Sequence, residues 1–145
     1  MTETSTFESR TARVECSAEE LYRFLTDIRN FEQFIPAGRF SDINIGRDTC
    51  TFSVNMLGKV NLKIGEQKEF SEVVYRGNAM QVNDFSLAVN FSDKGSGQSE
   101  VRLAVQASLN PILKMLAAEP VKNFLETLVD EMEKFRGWKD IRKDI

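Results

Sequence analysis

The sequence predicts an α+β fold, in which a curved antiparallel sheet of about seven strands is wrapped around a long C-terminal helix. Three observations support this prediction. A capped helix and a second short helix follow the first strand, residues 40–109 show the two-residue alternation of β-strands, and a long helical pattern begins at Pro111. The chain has 145 residues, the usual size of one domain, so we expect a single domain over residues 1–145.

The first strand is predicted at residues 6–14, with Ala12 and Val14 facing inward. A helix follows because Ser17 and Glu20 have the spacing of a capping box, in which each side chain accepts a hydrogen bond from the other residue's backbone amide. The apolar surface of this region is predicted to comprise Leu21, Phe24, Leu25 and Ile28 of the first helix and Phe31 and Phe34 of the second.

Strand-like alternation continues from there to residue 109. The clearest runs lie at residues 52–56, 60–64, 85–91 and 101–109. A turn at residues 93–97 joins the two longest strands, and the short connections throughout indicate an antiparallel meander. The register of the strand at residues 73–76 stays open, because Val73 and Val74 disagree on which face is buried.

The final helix is predicted to begin with Asn110 as its N-cap and Pro111 at its first position, and to run to Phe135. Pro120 lies inside this span and removes one backbone hydrogen bond, so we expect a kink or a break beside it. A break there would leave residues 110–118 able to move as a lid.

Composition excludes several chemistries. The net charge is −3 with both signs interspersed, which leaves no basic surface for nucleic acid. The chain contains no His, so the Ser-His and Cys-His pairs of nucleophilic catalysis are impossible. Cys16 and Cys50 lack the spacing of a metal site, and Cys16 has the position of an apolar residue that packs beside the helix cap. We therefore expect no metal, no cofactor and no catalytic residue.

The N-terminal residues are polar and lack the basic start and the apolar run of a secretory signal. No stretch approaches the ~20 consecutive apolar residues of a membrane-spanning helix. We expect a cytoplasmic protein without an integral membrane segment, and we leave its oligomeric state open.

Residues 14–27, with the sequence VECSAEELYRFLTD, followed by Phe31, Phe34 and Pro36, resemble the N-terminal signature of the START-like (SRPBCC) superfamily. That superfamily has the helix-grip fold and includes polyketide cyclase-like, coenzyme Q-binding-like and lipid-transfer proteins. The resemblance covers essentially the whole chain and implies a cavity for an apolar small molecule between the sheet and the final helix. No Rieske-type pattern is present, so the oxygenase branch of the superfamily is excluded.

Large apolar side chains from both elements are predicted to form the walls of this cavity. The predicted ligand-binding residues are Val54, Met56, Leu62, Phe85, Leu87 and Leu103 from the sheet, and Met115, Phe124, Leu128 and Met132 from the helix. Met suits such a wall because its thioether side chain is flexible. The alternative is that these side chains pack together as ordinary core.

Arg76 and Asp84 are the candidate polar handle, a buried pair that would orient a ligand. The alternative places Asp84 in a solvated turn at residues 81–84, where Asn and Asp are common.

Functions of three classes are compatible with this sequence. Binding or transport of a hydrophobic small molecule, such as a lipid, a quinone or a polyketide-like compound, needs only the cavity and is the expected function. A cyclase or dehydratase acting on a polyketide-like substrate would need a buried titratable group, and the sequence shows no clear one. A protein-interaction module without a ligand would need an exposed apolar patch, for which Trp138 is the candidate.

Overall fold

The computed structural model describes residues 3–34, 40–54, 58–79 and 82–138. In chain order, its elements are β1 (Glu3–Glu8), β2 (Ala12–Val14), α1 (Ala18–Leu25), a 3₁₀ helix (Ile28–Phe34), β3 (Phe40–Ile45), β4 (Thr49–Val54), β5 (Gly58–Lys68), β6 (Glu72–Ala79), β7 (Val82–Gly95), β8 (Gln98–Leu109) and α2 (Pro111–Lys134). Among the described residues, no helix is both long enough and apolar enough to cross a lipid bilayer.

The strands form one antiparallel sheet in the order β1-β8-β7-β6-β5-β4-β3, and β2 also pairs with β8. The two long strands β7 and β8 form the hairpin predicted from their alternation. Two short helices follow the N-terminal strands, and the long α2 packs against β8, β2 and β1. The predicted α+β helix-grip architecture is confirmed.

The first strand is divided into two pieces, whereas the sequence predicts one at residues 6–14. The break falls at Ser9, whose backbone amide donates to the carbonyl of Leu103 at 2.9 Å. The Ser9 hydroxyl accepts a hydrogen bond from the Leu103 amide at 3.0 Å. A side-chain oxygen thus takes the place of a backbone carbonyl in the ladder, which lets the chain change direction between β1 and β2.

The predicted capping box at the start of α1 is confirmed. The Ser17 hydroxyl accepts from the Glu20 amide at 3.2 Å, and the Glu20 carboxylate accepts from the Ser17 amide at 2.9 Å. A carboxylate oxygen of Asp93, near the end of β7, also accepts from the Ala18 amide at 3.0 Å. The N-terminus of α1 is therefore fixed both by its own sequence and by a distant hairpin.

The C-terminus of α1 is held from two sides. The buried Tyr75 hydroxyl donates to the Leu25 carbonyl at 2.7 Å, and the Asn30 side-chain amide donates to the Phe24 carbonyl at 2.9 Å. These bonds satisfy carbonyls that the end of a helix leaves without intrahelical partners. Together they attach α1 to β6 and to the 3₁₀ helix.

The structure fixes which residues of β6 face the core, a point that the sequence leaves open. Val73 and Tyr75 are buried in the hydrophobic core, while Val74 is buried outside that core cluster and pairs with Ala88 of β7. Both Val73 and Val74 are therefore buried, on opposite faces of the sheet, which explains why the alternation conflicts in the sequence.

The helix α2 is continuous through Pro120, so of the predicted kink or break, the break is wrong and the kink stays a prediction. A proline inside a helix removes one hydrogen bond to the carbonyl four residues earlier, here that of Leu116. The segment after it is held in place by buried side chains of the core, including Val121, Phe124 and Leu125. The start of the helix agrees with prediction, since the Asn110 side chain accepts from the Leu113 amide at 2.8 Å.

The C-terminal half of α2 is attached to the segment between β1 and β2 by the side chain of Arg10. Its guanidinium lies 2.6 Å from Asp130, 2.8 Å from Glu133 and 3.4 Å from Glu126. Hydrogen bonds to Glu133 and Asp130 raise the pKa of Arg10, and the bond from Arg10 lowers the pKa of Glu133. The helix is thereby bound to the segment between β1 and β2.

An aromatic cluster lies at the end of the described chain. The rings of Phe24, Phe34 and Phe135 each lie within 4.9–5.5 Å of the Trp138 ring, centroid to centroid. Trp138 is 1% exposed, so the prediction that it offers an exposed apolar patch is wrong. The reason is that the chain after α2 folds back onto α1 and the 3₁₀ helix, where these rings pack.

Candidate functional site

An apolar cavity lies between the N-terminal half of α2 and the inner face of the sheet. Its lining residues come from β1, the end of the sheet where β5 begins and β6 ends, the β7–β8 hairpin, and α2. They are Phe7, Val60, Ala79, Phe85, Val105, Ala107, Leu109, Ala117, Val121 and Phe124. All ten side chains are hydrocarbon, so the lining has no group that could donate or accept a proton.

The cavity has a volume of about 50 Å³. A single water needs roughly 10–15 Å³ of such space, whereas pockets for drug-sized ligands have roughly 300–1,000 Å³. The described conformation therefore has room for a few waters, and a larger molecule would have to displace part of the wall.

Three alanines account for the open space. Ala79, Ala107 and Ala117 lie on β6, β8 and α2, and all three line the cavity. A larger aliphatic residue at these positions would fill volume that alanine leaves empty. The cavity thus results from small side chains on three separate elements that only the folded structure brings together.

The structure places the predicted wall residues in different surroundings. Phe85 and Phe124 line the cavity. The others that are buried in the core but do not line the cavity are Val54, Leu62, Leu87, Leu103, Leu128 and Met132. The void is confined to one end of the sheet, beneath the first half of α2, so most of the predicted set fills the core elsewhere. Whether any of these residues binds a ligand stays a prediction.

Two predicted methionines do not contribute to the described wall. Met115 is 75% exposed, contrary to the inward orientation expected for it. At about 100° per residue, Met115 lies roughly 140° around the helix axis from Leu128, which is buried. Met56 lies outside the described residues.

Arg76 and Asp84 do not form a buried pair. Both side chains are exposed. The Arg76 guanidinium instead bonds the Glu66 carboxylate at 2.7 and 3.1 Å, and this interaction raises the pKa of Arg76 and lowers that of Glu66. The two residues face away from the core, because Tyr75 and Phe85 beside them face inward.

The residues that prediction missed are Phe7 and the smaller aliphatic residues of the lining. Val105, Ala107 and Leu109 follow the inward alternation of β8, which the sequence does show. The bulky side chains on which the prediction rests belong mostly to the filled part of the core. An inward alanine alone does not identify the cavity, since Ala12 of β2 is also buried in the core and does not line it.

Three buried groups in the core are titratable, and each is held in its neutral form. Burial raises the pKa of Cys16 to about 12, with a smaller contribution from Glu20. Burial likewise raises the pKa of Cys50 to about 12, and it raises the pKa of Tyr75. A thiol or phenol so shifted is a poor nucleophile and a poor base near neutral pH.

The outer face of the first turns of α2 is apolar. Among the described residues, the large hydrophobic side chains that are exposed are Phe70, Ile112, Met115 and Leu116. Three of these four lie on one side of α2, on the segment whose opposite side carries the lining residue Ala117. Exposed apolar surface of this kind marks a place where another molecule can bind.

A larger but open groove, of about 500 Å³, lies between the α1–3₁₀ connection and the β3–β4 turn. Its lining mixes both charges, and Arg29 in it is paired with Asp27 at 2.7 Å. Pockets for small molecules are lined mostly by apolar side chains, so we regard the small apolar cavity as the candidate site.

Solved structures of low sequence identity have the same fold. A norcoclaurine synthase from Thalictrum flavum has a TM-score of 0.73 at 12% identity, covering 92% of this chain and 94% of that chain. A START superfamily protein from Mycobacterium smegmatis has a TM-score of 0.61 at 14% identity, with 89% and 97% covered. The Zhui aromatase/cyclase from Streptomyces sp. R1128 has a TM-score of 0.58 at 13% identity, with 91% and 95% covered.

These similarities establish the fold alone. No curated protein is significantly similar to the chain in sequence. The family model for CoxG, which is described as a subunit of carbon monoxide dehydrogenase, matches residues 11–135. Because that match covers most of the chain, from β2 to the end of α2, the protein belongs to the CoxG family.

Proposed function

We propose that this protein binds, and in doing so carries, a hydrophobic small molecule in the cavity beneath the first half of α2. The observation that carries the proposal is the wholly apolar lining of a partly open cavity in a START-like fold. An empty apolar cavity costs stability, because its lining side chains lack packing partners on one side. A lipid, a quinone or a polyketide-like compound has the chemistry to fill it.

Related folds support the idea that this architecture can hold small aromatic molecules. One structure of the norcoclaurine synthase contains dopamine and hydroxybenzaldehyde. The Zhui protein is named an aromatase/cyclase. For the present chain, an enzymatic function of that kind receives no support from the cavity, since none of its lining side chains is titratable.

The attachment of α2 suggests how a ligand larger than the cavity is accommodated. The second half of the helix is bound through Arg10 and the aromatic cluster. Among the described residues, no ion pair joins residues 111–120 to the sheet, and Pro120 leaves one helix hydrogen bond unmade. We infer that residues 111–120, which include the lining residue Ala117, move outward, while Val121 and Phe124 stay in place with the second half.

The test is to fill the cavity. Ala107→Leu adds bulk inside the lining, and Ala104→Leu adds the same bulk on the same strand but on the opposite face. The probe is N-phenyl-1-naphthylamine, a neutral apolar fluorophore. We expect the wild type and Ala104→Leu to enhance its fluorescence equally, and Ala107→Leu to bind it at least tenfold more weakly.

Equal binding by Ala107→Leu and the wild type would contradict the proposed site. Ala117→Leu provides a second, independent block from the helix side, in case the strand variant folds poorly. Circular dichroism and thermal unfolding of each variant separate loss of binding from loss of structure.

A second function, contact with a protein partner, is favoured by the exposed apolar face of α2. The CoxG family is also described as part of carbon monoxide dehydrogenase. The candidate partner is therefore that enzyme, bound through Ile112, Met115 and Leu116.

This function is tested by mixing the chain with purified carbon monoxide dehydrogenase and measuring the complex by sedimentation. We expect replacement of the three side chains by Ser to abolish the complex, while Phe70→Ser, the matched change at an exposed Phe elsewhere, preserves it. Retention of the complex by the triple variant would rule out this face as the contact.

A further inference from the structure

A buried serine hydroxyl without a hydrogen-bond partner lies beside the apolar cavity. Ser5 is 2% exposed, and its Oγ has no partner among the residues that the structure describes. A hydroxyl that leaves water without gaining a hydrogen bond destabilises the folded state. Within the described part of the chain, β1 therefore carries a buried polar group without a hydrogen-bond partner.

The register of β1 places Ser5 next to the cavity wall. Ser5 lies opposite Ala107 in the pairing with β8, and Phe7, the next inward residue, lies opposite Val105. Ala107, Phe7 and Val105 all line the cavity. Side chains directly opposite each other in an antiparallel pair have Cβ atoms about 5 Å apart, so the Ser5 hydroxyl is one side chain away from the lining.

In the described chain, a second buried side-chain atom without a hydrogen-bond partner lies in the aromatic cluster. Trp138 Nε1 also has no hydrogen-bond partner, but its ring is packed against Phe24 and Phe135 in the aromatic cluster. None of these three residues lines the cavity. Ser5 is therefore the unsatisfied buried group that stands beside the candidate site.

A modest movement would bring the hydroxyl into contact with a ligand. The cavity has a volume of only about 50 Å³, so a ligand must widen it. β1 is an edge strand that pairs with β8 alone, and it can shift without breaking a second ladder. Ser5 lies on the wall that such a shift would uncover.

We propose that Ser5 Oγ is the hydrogen-bonding point for a neutral oxygen of the bound molecule. This inference rests on the proposed ligand-binding function. A serine hydroxyl both donates and accepts, so a ligand hydroxyl or a ligand carbonyl satisfies it. A carboxylate does not fit, because the cavity lining contains no cation to compensate its charge. The ligand class is thus a mainly hydrocarbon molecule that carries a hydroxyl or carbonyl group, rather than a pure hydrocarbon or a fatty acid anion.

The experiment compares two probes of nearly equal shape, 2-naphthol and 2-methylnaphthalene, which differ by a hydroxyl in place of a methyl group. Each is titrated against bound N-phenyl-1-naphthylamine in the wild type, in Ser5→Ala, and in Thr6→Val. Thr6 is the matched control, since it follows Ser5 on β1 and faces solvent. We expect the preference for 2-naphthol over 2-methylnaphthalene to fall about fivefold in Ser5→Ala, the size of one neutral hydrogen bond, and to be unchanged in Thr6→Val.

An unchanged preference in Ser5→Ala, with N-phenyl-1-naphthylamine still bound, would overturn this inference and leave the proposed function standing. If the wild type binds none of the three probes, the proposed function itself fails. Thermal unfolding of the free protein gives an independent readout. Because the hydroxyl is unsatisfied, Ser5→Ala should unfold at the same temperature as the wild type or at a higher one, and a marked decrease would show that the hydroxyl has a structural partner.

Discussion

At the scale of single residues, one glycine sets the distance between neighbouring strands near the cavity. Gly77 of β6 lies opposite Leu62 of β5 and Phe85 of β7. A Cβ atom at this position would overlap the Asn61 carbonyl oxygen and lie 2.8 Å from Leu62 Cδ2 and 3.1 Å from Phe85 Cζ. The absence of a side chain here lets the lining residue Phe85 keep its inward position.

We therefore expect Gly77→Ala to lower the free energy of unfolding by about 2–3 kcal/mol, the upper part of the range for overpacked cores. The matched control is Gly46→Ala, where the nearest atom to an added Cβ is Thr49 Oγ1 at 3.4 Å. That change should stay within about 0.5 kcal/mol. Urea denaturation of both variants measures the difference, and equal stabilities would show that the strands can separate at Gly77 without cost.

At the scale of elements, α2 combines a firmly held half with a weakly held one. Pro120 lies between the exposed apolar turns and the buried stripe of the same helix. Because proline is about 3 kcal/mol less favourable than alanine inside a helix, its presence destabilises the helix at this point.

Pro120→Ala should raise the free energy of unfolding by roughly 1–3 kcal/mol, since it restores a hydrogen bond to the Leu116 carbonyl. Pro111→Ala provides the control, because Pro111 occupies the first helical position, where proline is favourable. It should give no gain. Chemical denaturation checks both, and a loss of stability in Pro120→Ala would mean that the proline ring itself packs against the core.

The Arg10 network is the second feature of α2 that predicts a measurable effect. Its side chains are largely exposed, so we expect Arg10→Met to cost only about 1 kcal/mol at neutral pH. Arg23→Met, which breaks the surface pair with Glu19 on α1, should cost a few tenths of a kcal/mol.

The effect of Arg10→Met should depend on pH in a defined direction. Arg10 lowers the pKa of Glu133 below its ordinary value of 4.5 in the folded state. Stability from a lowered carboxyl pKa is present above the unfolded value and is lost as the pH falls through the folded value. The difference between the wild type and Arg10→Met should thus be largest near pH 7 and shrink below pH 4.5. Urea titrations across this range check it, and a constant difference would assign the effect to packing of the Arg10 side chain.

At the scale of the whole molecule, a single hydrophobic core joins all the elements. Cys16 precedes α1 and Cys50 lies on β4, yet both are buried in the same core cluster. Burial raises the pKa of each thiol to about 12. The reactive thiolate is therefore scarce in the folded protein at any pH below that value.

We expect neither thiol to react with iodoacetamide at about pH 8 in the native protein, and both to react together across the urea transition, because one core unfolds in one step. Mass spectrometry of peptides containing each cysteine measures this. Labelling of Cys50 at a lower urea concentration than Cys16 would show that the β3–β5 side of the sheet opens on its own.

The parts of the fold that the sequence predicts are those set by local chemistry. The Ser17–Glu20 capping box and the Asn110 cap depend on residues a few positions apart, so spacing alone identifies them. The break at Ser9 is not visible in the sequence, because it depends on a hydroxyl that bonds to a strand far along the chain.

The candidate site is less predictable for a related reason. A cavity is a deficit of volume, and here it arises where Ala79, Ala107 and Ala117 meet from three elements. Each alanine is unremarkable in its own segment. Met115 is predicted to line the cavity, but it is exposed. An apolar residue in a helical pattern faces inward only where that side of the helix packs against the sheet.

The pairing of β1 with β8 has a consequence for the order of events in folding. Glu3 lies opposite Leu109, so the first strand finds its partner only after almost the entire sheet has been synthesised. Contacts between residues so far apart in sequence slow folding, because the intervening chain must be ordered before they form. During synthesis, β1 therefore has no strand to pair with until β8 has been made. When β8 is complete, β1 and β2 have already been synthesised and can cover its edge.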